Sequence, residues 1–127
     1  NGVRDRCSFR HMDILVAAPE GKYDLVTMNP PYIPLTEVRD LEPEVRDYEP
    51  LTALTDDLDG LTFYRRFAQI GYNLLREGGI ALLEIGFDQA PQVLALFDTS
   101  AYDCSVIEDL AGIPRVIKVA NPRVTKS

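Results

Sequence analysis

Residues 23–32 of the chain read YDLVTMNPPY, an apolar run that ends in a rigid proline corner. The first six of these residues have the composition of a buried β-strand. Pro30 and Pro31 each fix φ at about −65° and lack a backbone N–H, and the first of them pushes Asn29 into extended backbone. Asn29, held stiffly at the end of a strand, is therefore the first candidate for a functional residue.

The proline corner offers two oxygen acceptors to one incoming amino group. No proline N–H competes, so the side-chain oxygen of Asn29 and the carbonyl of Pro30 can both accept hydrogen bonds from a single –NH₂. Tyr32 adds an aromatic face that can stack on a flat amide or base and exclude water. The pattern favours methyl transfer to a planar amide or amine nitrogen. A proline-rich loop that merely closes a strand is the weaker alternative, because both the tyrosine and the preceding strand are present.

The composition limits the class of protein and of partner. With 127 residues, 46% of them apolar, the chain is long enough for one domain, residues 1–127, with a real core. A net charge of −7 disfavours nucleic acid as a direct partner, because phosphate contacts require clustered lysine and arginine. We find neither an apolar run of ~18 residues nor a signal peptide, so we expect no membrane partner and a cytoplasmic location.

The cysteines and the histidine carry little chemistry. Cys7 and Cys104 lie far apart and match no metal-ligand spacing, so we expect no metal site and no disulfide framework. Both are predicted to be ordinary buried or half-buried thiols. His11, the only histidine, is interpreted as a strand residue and not as a base.

The order of the apolar patterns predicts an α/β fold. Residues 7–12 are predicted to form a short strand that ends at Asp13, and residues 34–59 a substrate loop or lid, with a flexible excursion as the alternative. Helices are expected over residues 59–76, capped by Asp57 or Asp59 and stopped by Gly78-Gly79, and over residues 90–97. Strands are expected over residues 80–85, buried on both faces, and over 103–109 and 115–119, an antiparallel pair that closes one sheet edge.

Further stretches resemble, in the same order, the HemK/PrmC-type release-factor glutamine N5-methyltransferases, a family of class I methyltransferases. The resemblance implies a partial Rossmann-like sheet with a C-terminal antiparallel hairpin. It also implies S-adenosylmethionine as methyl donor and, as acceptor, the glutamine of a Gly-Gly-Gln loop in a peptide-chain release factor. NPPY alone is shared with DNA adenine methyltransferases, so the specificity lies in the ordered set. The matching stretches are Asn29-Pro30-Pro31-Tyr32-Ile33-Pro34, Glu44-Val45-Arg46-Asp47-Tyr48-Glu49-Pro50, Leu54, Asp59-Gly60-Leu61, Gly78-Gly79, Leu83-Glu84-Ile85-Gly86 and Asp109-Leu110-Ala111-Gly112.

The resemblance assigns the proline corner to the acceptor. Asn29 and the Pro30 carbonyl would grip the glutamine amide and act as the catalytic pair, together with Tyr32, which would shape the channel between acceptor and donor. Pro31 would complete the substrate-binding corner. Glu49-Pro50 resembles the segment that backs the substrate pocket in the family. For the glutamate, a carboxylate that ties down the long loop is an equal alternative.

Two further positions resemble the donor site. Asp13 matches the family's adenine-contacting acid, with Ile14 against the ring, and Asn29 would also contact the donor. An acid that stabilises a turn or caps a helix is the alternative for Asp13. Glu84 matches a strand-end acid without an assigned role, and we expect a buried carboxylate that accepts backbone N–H bonds.

The chain departs from the family by an absence. The family places a glycine-rich loop and a ribose-binding acid ahead of all stretches matched here, whereas the eight glycines of this chain contain no G-x-G. We therefore expect the C-terminal part of a longer enzyme that lacks the first strands of its domain and is inactive alone. The strand over residues 23–28 would then expose an edge, for which we expect strand-mediated dimerisation, swapping or a rearranged N-terminal segment. An adenine methyltransferase of DNA or RNA, or a catalytically incompetent fragment, are the alternative functions.

Overall fold

The computed structural model of the chain describes residues 4–41, 50–56 and 58–122. These residues form one mixed sheet with helices packed on a single face. The strands are β1 (Tyr23–Met28), β2 (Leu75–Glu84), β3 (Asp103–Glu108) and β4 (Pro114–Ala120), and the α-helices are α1 (Leu51–Leu54), α2 (Thr62–Leu74) and α3 (Ala90–Leu94). Short 3₁₀ helices cover Arg4–Arg6 and Leu35–Asp40.

The described strands lie in the order β1-β2-β4-β3. β1 runs parallel to β2, and β4 runs antiparallel to both β2 and β3. The predicted α/β fold and the antiparallel hairpin at one sheet edge are confirmed. Met28 lies opposite Leu83, so the residues that follow β1 and β2 emerge at the same edge of the sheet. This is the edge at which α/β proteins with parallel strands place their ligands.

One face of the sheet carries the core. Alternate residues of β2 and β4 are buried there against the apolar side of α2, as period-2 strands and an amphipathic helix require. Phe97, just after α3, contacts Tyr102 edge-on with ring centroids 5.4 Å apart. The buried cluster comprises Tyr64, Phe67, Ile70, Leu74, Leu75, Ala81, Leu83, Ile85, Ala90, Val93, Phe97, Tyr102, Ile117 and Val119.

The expectation of full burial was wrong for two strands. The Leu25 side chain of β1 is 55% exposed, because β1 is the edge strand of the described sheet. In β2, Ala81 and Leu83 are buried while Ile80 and Leu82 are only half-buried. The reason is that α2 and α3 both cover the same face.

The strand predicted over residues 7–12 is absent, and Asp13 lies in a turn. Residues 7–13 are irregular and exposed, with Phe9 at 92% exposure. Within the described ranges no other strand pairs with them, and an extended segment without a ladder leaves its apolar side chains in water. The prediction of His11 as a strand residue was therefore wrong, because it lies in an exposed loop. The burial predicted for Cys7 was wrong for the same reason, since its thiol is exposed. Cys104 is half-buried as expected, and burial raises the pKa of its thiol.

The predicted helix over residues 59–76 exists but has different ends. α2 ends at Leu74, and β2 begins at the next residue. Gly78-Gly79 therefore lie inside β2 and do not stop the helix. Gly78 has φ +80, and a Cβ on Gly79 would lie 2.9 Å from the carbonyl oxygen of Tyr23. These glycines thus serve an irregular stretch of the strand and its close approach to β1, where the register shifts. The predicted helix over residues 90–97 is shorter too, because α3 ends at Leu94.

Asp56, which the sequence did not single out, fixes the start of α2. One carboxylate oxygen accepts the N–H groups of Leu58 and Gly60, each at 2.9 Å, and the other accepts the N–H of Thr62 at 3.0 Å. Of the two predicted caps, Asp57 lies outside the described residues. Asp59 accepts the Leu61 N–H at 3.0 Å and pairs with the exposed Arg65. A single carboxylate therefore organises the loop before α2 by accepting three backbone N–H groups.

No helix among the described residues is long and apolar enough to span a membrane.

We predict that Asp56→Ala lowers the free energy of unfolding at pH 7 by about 1–2 kcal/mol, the usual cost of losing a helix-start acceptor. Burial alone would raise the pKa of Asp56, but the hydrogen bonds from Thr62, Leu58 and Gly60 outweigh it and lower that pKa below its ordinary value of 3.8. A lowered pKa contributes stability above pH 3.8 that is lost as the pH falls through the folded-state pKa. Urea titrations of both proteins should therefore converge in acid. An energy difference that stays constant down to about pH 2 contradicts the assignment.

Candidate functional site

A cavity of about 420 Å³ opens in front of the proline corner. It lies at the edge where β1 and β2 end, so its walls come from separate parts of the chain. The lining residues are Asn29, Pro30, Pro31, Tyr32, Ile33, Ala53, Leu54 and Glu84. The structure thus brings all four residues of the predicted corner to one cavity.

Asn29 is exposed at this cavity, whereas Pro30 beside it is buried. The Asn29 carboxamide makes no hydrogen bond to any other described residue. Its oxygen is therefore open to an incoming donor. The buried proline ring anchors the corner in the protein while the asparagine faces solvent.

The segment after the corner is laid against the loop that precedes α2. The Ile33 N–H donates to the Leu54 carbonyl at 3.0 Å, and the Leu35 N–H donates to the Leu58 carbonyl at 3.0 Å. Ile33 also forms an isolated parallel bridge with Thr55. These contacts bring Leu54 into the cavity wall.

The Tyr32 carbonyl is held from two sides. The Gln89 side chain donates to it from Nε2 at 2.7 Å, and Gly60, with φ +84, packs so closely on it that a Cβ has no room. Gln89 in turn accepts the Gly86 N–H at 2.8 Å. The sequence pointed to neither side chain, since one glycine and one glutamine carry no recognisable pattern by themselves.

Tyr32 lines two cavities. The second has a volume of about 400 Å³ and is lined by Tyr32, Ile33, Pro34, Glu37, Leu41, Gly86, Phe87, Asp88, Gln89 and Arg115. Burial raises the pKa of the Tyr32 phenol, the negative charge of Glu84 raises it further, and Arg115 lowers it in part. Because the net shift is upward, the phenol stays neutral near pH 7 and can donate a hydrogen bond.

Glu84 differs from expectation. It was predicted as a buried carboxylate, but it is exposed and lines the Asn29 cavity. Its backbone carbonyl accepts the hydroxyl of Tyr64, whose pKa is raised first by burial and then by the nearby Tyr32 phenol and Glu84 carboxylate. The end of β2 sends this side chain outward because Leu83, its neighbour on the strand, points into the core.

Asp13 and Ile14 do not line the Asn29 cavity. The Asp13 carboxylate accepts the Leu15 N–H at 2.9 Å, and its carbonyl accepts the Val16 N–H at 3.0 Å. These are the contacts of a turn acid, the role considered as the alternative, and the donor role of Asp13 stays a prediction. Ile14 is half-buried, and its carbonyl accepts Nε of Arg66 at 2.8 Å.

Of the predicted pocket-backing pair, Glu49 lies outside the described residues. Pro50 is exposed, and its carbonyl accepts the Ala53 N–H at 2.9 Å at the start of α1. Ala53 and Leu54, which follow it, line the cavity instead. Among the described residues of this segment, the contact with the cavity thus begins at Ala53, three residues after Pro50.

The described residues fit S-adenosylmethionine at its reacting end only. The open Asn29 carboxamide and the neutral Tyr32 phenol can face a methyl group and its acceptor in the cavity of about 420 Å³. The Asp13 turn expected at the adenosine lies outside that cavity, and the sequence contains no G-x-G. Among the described residues no three His, Cys, Asp or Glu side chains cluster as metal ligands.

Comparison with known proteins finds relatives that are named release factor glutamine methyltransferases. The chain is 42% identical over 97 residues to the release factor glutamine methyltransferase of Geobacter sulfurreducens, covering 76% of this chain and 34% of that protein. It is 40% identical over 122 residues to the one of Caulobacter vibrioides, covering 94% and 42%. The chain thus spans about two fifths or less of the length of these curated relatives. No model of a known protein family matches it.

Two solved structures share the fold. The release factor-specific protein-(glutamine-N5) methyltransferase of Alicyclobacillus acidocaldarius matches with a TM-score of 0.52 and 31% identity, covering 80% of this chain and 50% of that one. A methyltransferase of Pyrococcus furiosus matches with a TM-score of 0.54 over 82% of this chain and 43% of that one, and at 13% identity it supports the fold alone. The comparisons confirm both the resemblance read from the sequence and the class I methyltransferase fold.

We predict that Gly60→Ala destabilises the protein more than Gly112→Ala does. The two glycines have similar φ angles, +84 and +79, but a Cβ on Gly60 clashes with the Tyr32 carbonyl while one on Gly112 meets nothing within 4 Å. Backbone strain should therefore cost both variants on the order of 1 kcal/mol, with an added loss of at least about 1 kcal/mol at position 60. Thermal unfolding measures both. Equal losses would mean that the Tyr32 carbonyl is free to move away.

Proposed function

We propose, from the premise that this chain is a relative of the release factor glutamine methyltransferases, that the protein methylates the side-chain amide nitrogen of a release-factor glutamine. In this proposal residues 1–127 are the C-terminal part of the methyltransferase domain, and S-adenosylmethionine is the methyl donor. The acceptor is the glutamine of a Gly-Gly-Gln loop. A release factor as substrate also places the reaction in the cytoplasm.

The observation that carries the proposal is the open Asn29 carboxamide at the cavity beside the buried Pro30. A primary amide has two N–H donors, and the corner has two acceptor oxygens. The two proline rings restrict the backbone that carries these oxygens. Asn29 and the Pro30 carbonyl can therefore accept one amide hydrogen each. Pro31 and Tyr32 complete the wall, and the tyrosine ring offers a flat surface for the amide plane.

Orientation is the main contribution that these residues make. The amide nitrogen is a poor nucleophile because its lone pair is delocalised, while S-adenosylmethionine supplies a methyl group that is already activated. Two acceptors that fix both amide hydrogens aim the nitrogen and stabilise positive charge that develops on it, as fixed dipoles do in other active sites. The neutral Tyr32 phenol adds no charge. The amide proton can leave after transfer, so no strong base is required.

For the donor, the family resemblance supports Asp13, Ile14 and Asn29 as contacts. The first two lie in a turn outside the Asn29 cavity, so this part of the proposal rests on the resemblance. Calorimetric titration of S-adenosylmethionine into the 127-residue chain tests it. Heat of binding that is lost on Asp13→Ala supports the assignment, and binding that is unaffected contradicts it.

Methylation of adenine in DNA or RNA is not favoured. The relatives found are named for a release factor, and the net charge of −7 opposes a phosphate backbone. Mass analysis of a release factor and of DNA after incubation with the full-length enzyme separates the two. A mass gain of one methyl group on DNA and none on the protein would reverse the choice.

We further propose that the outer edge of β1 pairs with a second copy of the chain. No described strand covers this edge, and Leu25 is 55% exposed on it. Sedimentation of the 127-residue chain should then show a dimer that Leu25→Lys dissociates, because edge lysines oppose strand pairing. Val106→Lys, on the edge strand β3 at the other end of the sheet, is the control and should leave the dimer intact. A monomeric wild-type chain contradicts the proposal.

We predict that Asn29→Ala lowers kcat on a release factor by ~10²-fold or more, the usual effect of removing one preorganised hydrogen-bond partner. Asn73→Ala, at an exposed position of α2, is the matched control and should retain wild-type kcat. The measurement is the rate of methyl incorporation by the full-length enzyme at saturating substrate. Normal methylation by the Asn29 variant would remove the corner from the mechanism.

A further inference from the structure

A buried glutamine connects the proline corner to the loop that follows β2. Gln89 is only 4% exposed. It donates from Nε2 to the Tyr32 carbonyl at 2.7 Å and accepts the Gly86 N–H on Oε1 at 2.8 Å. One partner is an acceptor and the other a donor, so a single orientation of the carboxamide satisfies both. A buried side-chain amide that is hydrogen-bonded through both its oxygen and its nitrogen holds two backbone segments in a fixed relative position.

We propose that Gln89 is a positioning residue for methyl transfer, which sets the direction of the two acceptor oxygens of the corner by holding the Tyr32 carbonyl. It touches neither the amide nor the donor in this proposal and acts through the backbone of Tyr32. The inference rests on the proposed function of the corner. Beyond that function, it assigns the orientation of the two acceptor oxygens to one contact, the hydrogen bond from Gln89 to the Tyr32 carbonyl.

The stiffness of the corner transmits this contact. At one end Met28 is fixed by the β1–β2 ladder opposite Leu83. Between the ends, two proline rings remove φ rotation at consecutive positions. At the other end the chain leaves through Tyr32, whose carbonyl Gln89 holds. A stiff segment that is fixed at both ends can adopt only one orientation. Loss of the contact at either end allows the segment to rotate.

Gly60 and Ile33 show that this end of the segment is tightly enclosed. Gly60 packs against the Tyr32 carbonyl, and the next N–H, of Ile33, donates to the Leu54 carbonyl. If a substituted side chain at position 89 pushed the Tyr32 carbonyl away, the neighbouring backbone would oppose the movement on one side. The displacement would then be transmitted to Pro30 and Pro31. A displacement of ~1 Å at the reacting groups is enough to cost up to ~10²-fold in rate.

Three substitutions separate this role from a structural one. Gln89→Glu keeps an oxygen for the Gly86 N–H but replaces the donor to Tyr32 with a second oxygen, so that only one of the two bonds is lost. Gln89→Met keeps the length of the side chain and loses both bonds. Gln92→Glu is the matched control, because it makes the same chemical change three residues further on, at an exposed position of α3.

The kinetic test uses the full-length protein that carries this sequence, with a release factor as substrate. We expect Gln89→Glu to lower kcat by about tenfold to a hundredfold while KM for S-adenosylmethionine changes less than about twofold, and Gln92→Glu to match the wild type. In an Asn29→Ala background, Gln89→Glu should lower kcat by less than about twofold, because the acceptor that it aims is gone. A kcat near the wild-type value, or an undiminished loss in that background, overturns the proposal.

A second measurement needs neither activity nor a folded variant. In the wild-type protein, NMR should show the side-chain amide protons of Gln89 exchanging at least about tenfold more slowly than those of Gln92. Equal exchange rates overturn the proposal even if both Gln89 variants fail to fold. Protection without any methylation of glutamine would refute the proposed function and leave the contact in place. Methylation without protection would refute Gln89 alone.

Discussion

The parallel pairing of β1 with β2 is the constraint on which the rest of this structure depends. Because Met28 lies opposite Leu83, the proline corner and Glu84 come out at the same sheet edge, and the cavity between them follows. Slipping this pairing by one residue would turn every side chain of β1 to the other face. The register places Val26 and Met28, the half-buried residues of β1, opposite Ala81 and Leu83, which are buried.

The parts of the fold that the sequence predicted well are those with strong local patterns. β1, the helix before β2 and the closing hairpin each have a clear apolar period, and all three exist. The corner was also predictable, because proline restricts the backbone whatever surrounds it. Its four residues do line one cavity. The roles given to them for catalysis, and to Asp13 and Ile14 for the donor, remain predictions.

The parts that failed depend on tertiary contacts that no local pattern records. Residues 7–12 have a strand-like composition but no described partner, and composition cannot supply one. Asp56 was missed because it lies in a loop, outside any helical period, and its three N–H donors are spread over the loop and the first residue of α2. Gln89 was missed for a similar reason, since its partner Tyr32 is 57 positions away along the chain. Glu84 was expected in the interior because its neighbours are apolar, yet strand alternation turns it outward.

The β3–β4 turn has a consequence for how this protein can vary. Its turn, from Asp109 to Arg115, closes on itself: the Asp109 carboxylate accepts the N–H groups of Ala111 and Ile113, at 2.8 and 3.0 Å, and pairs with Arg115 at 2.9 Å. Leu110 at its tip is fully exposed. The hydrogen bonds and the ion pair that hold this turn come from its own residues and not from the core. Residues inserted at the tip therefore leave the β3–β4 hydrogen-bond ladder undisturbed. A grafted epitope is therefore best accommodated at this point.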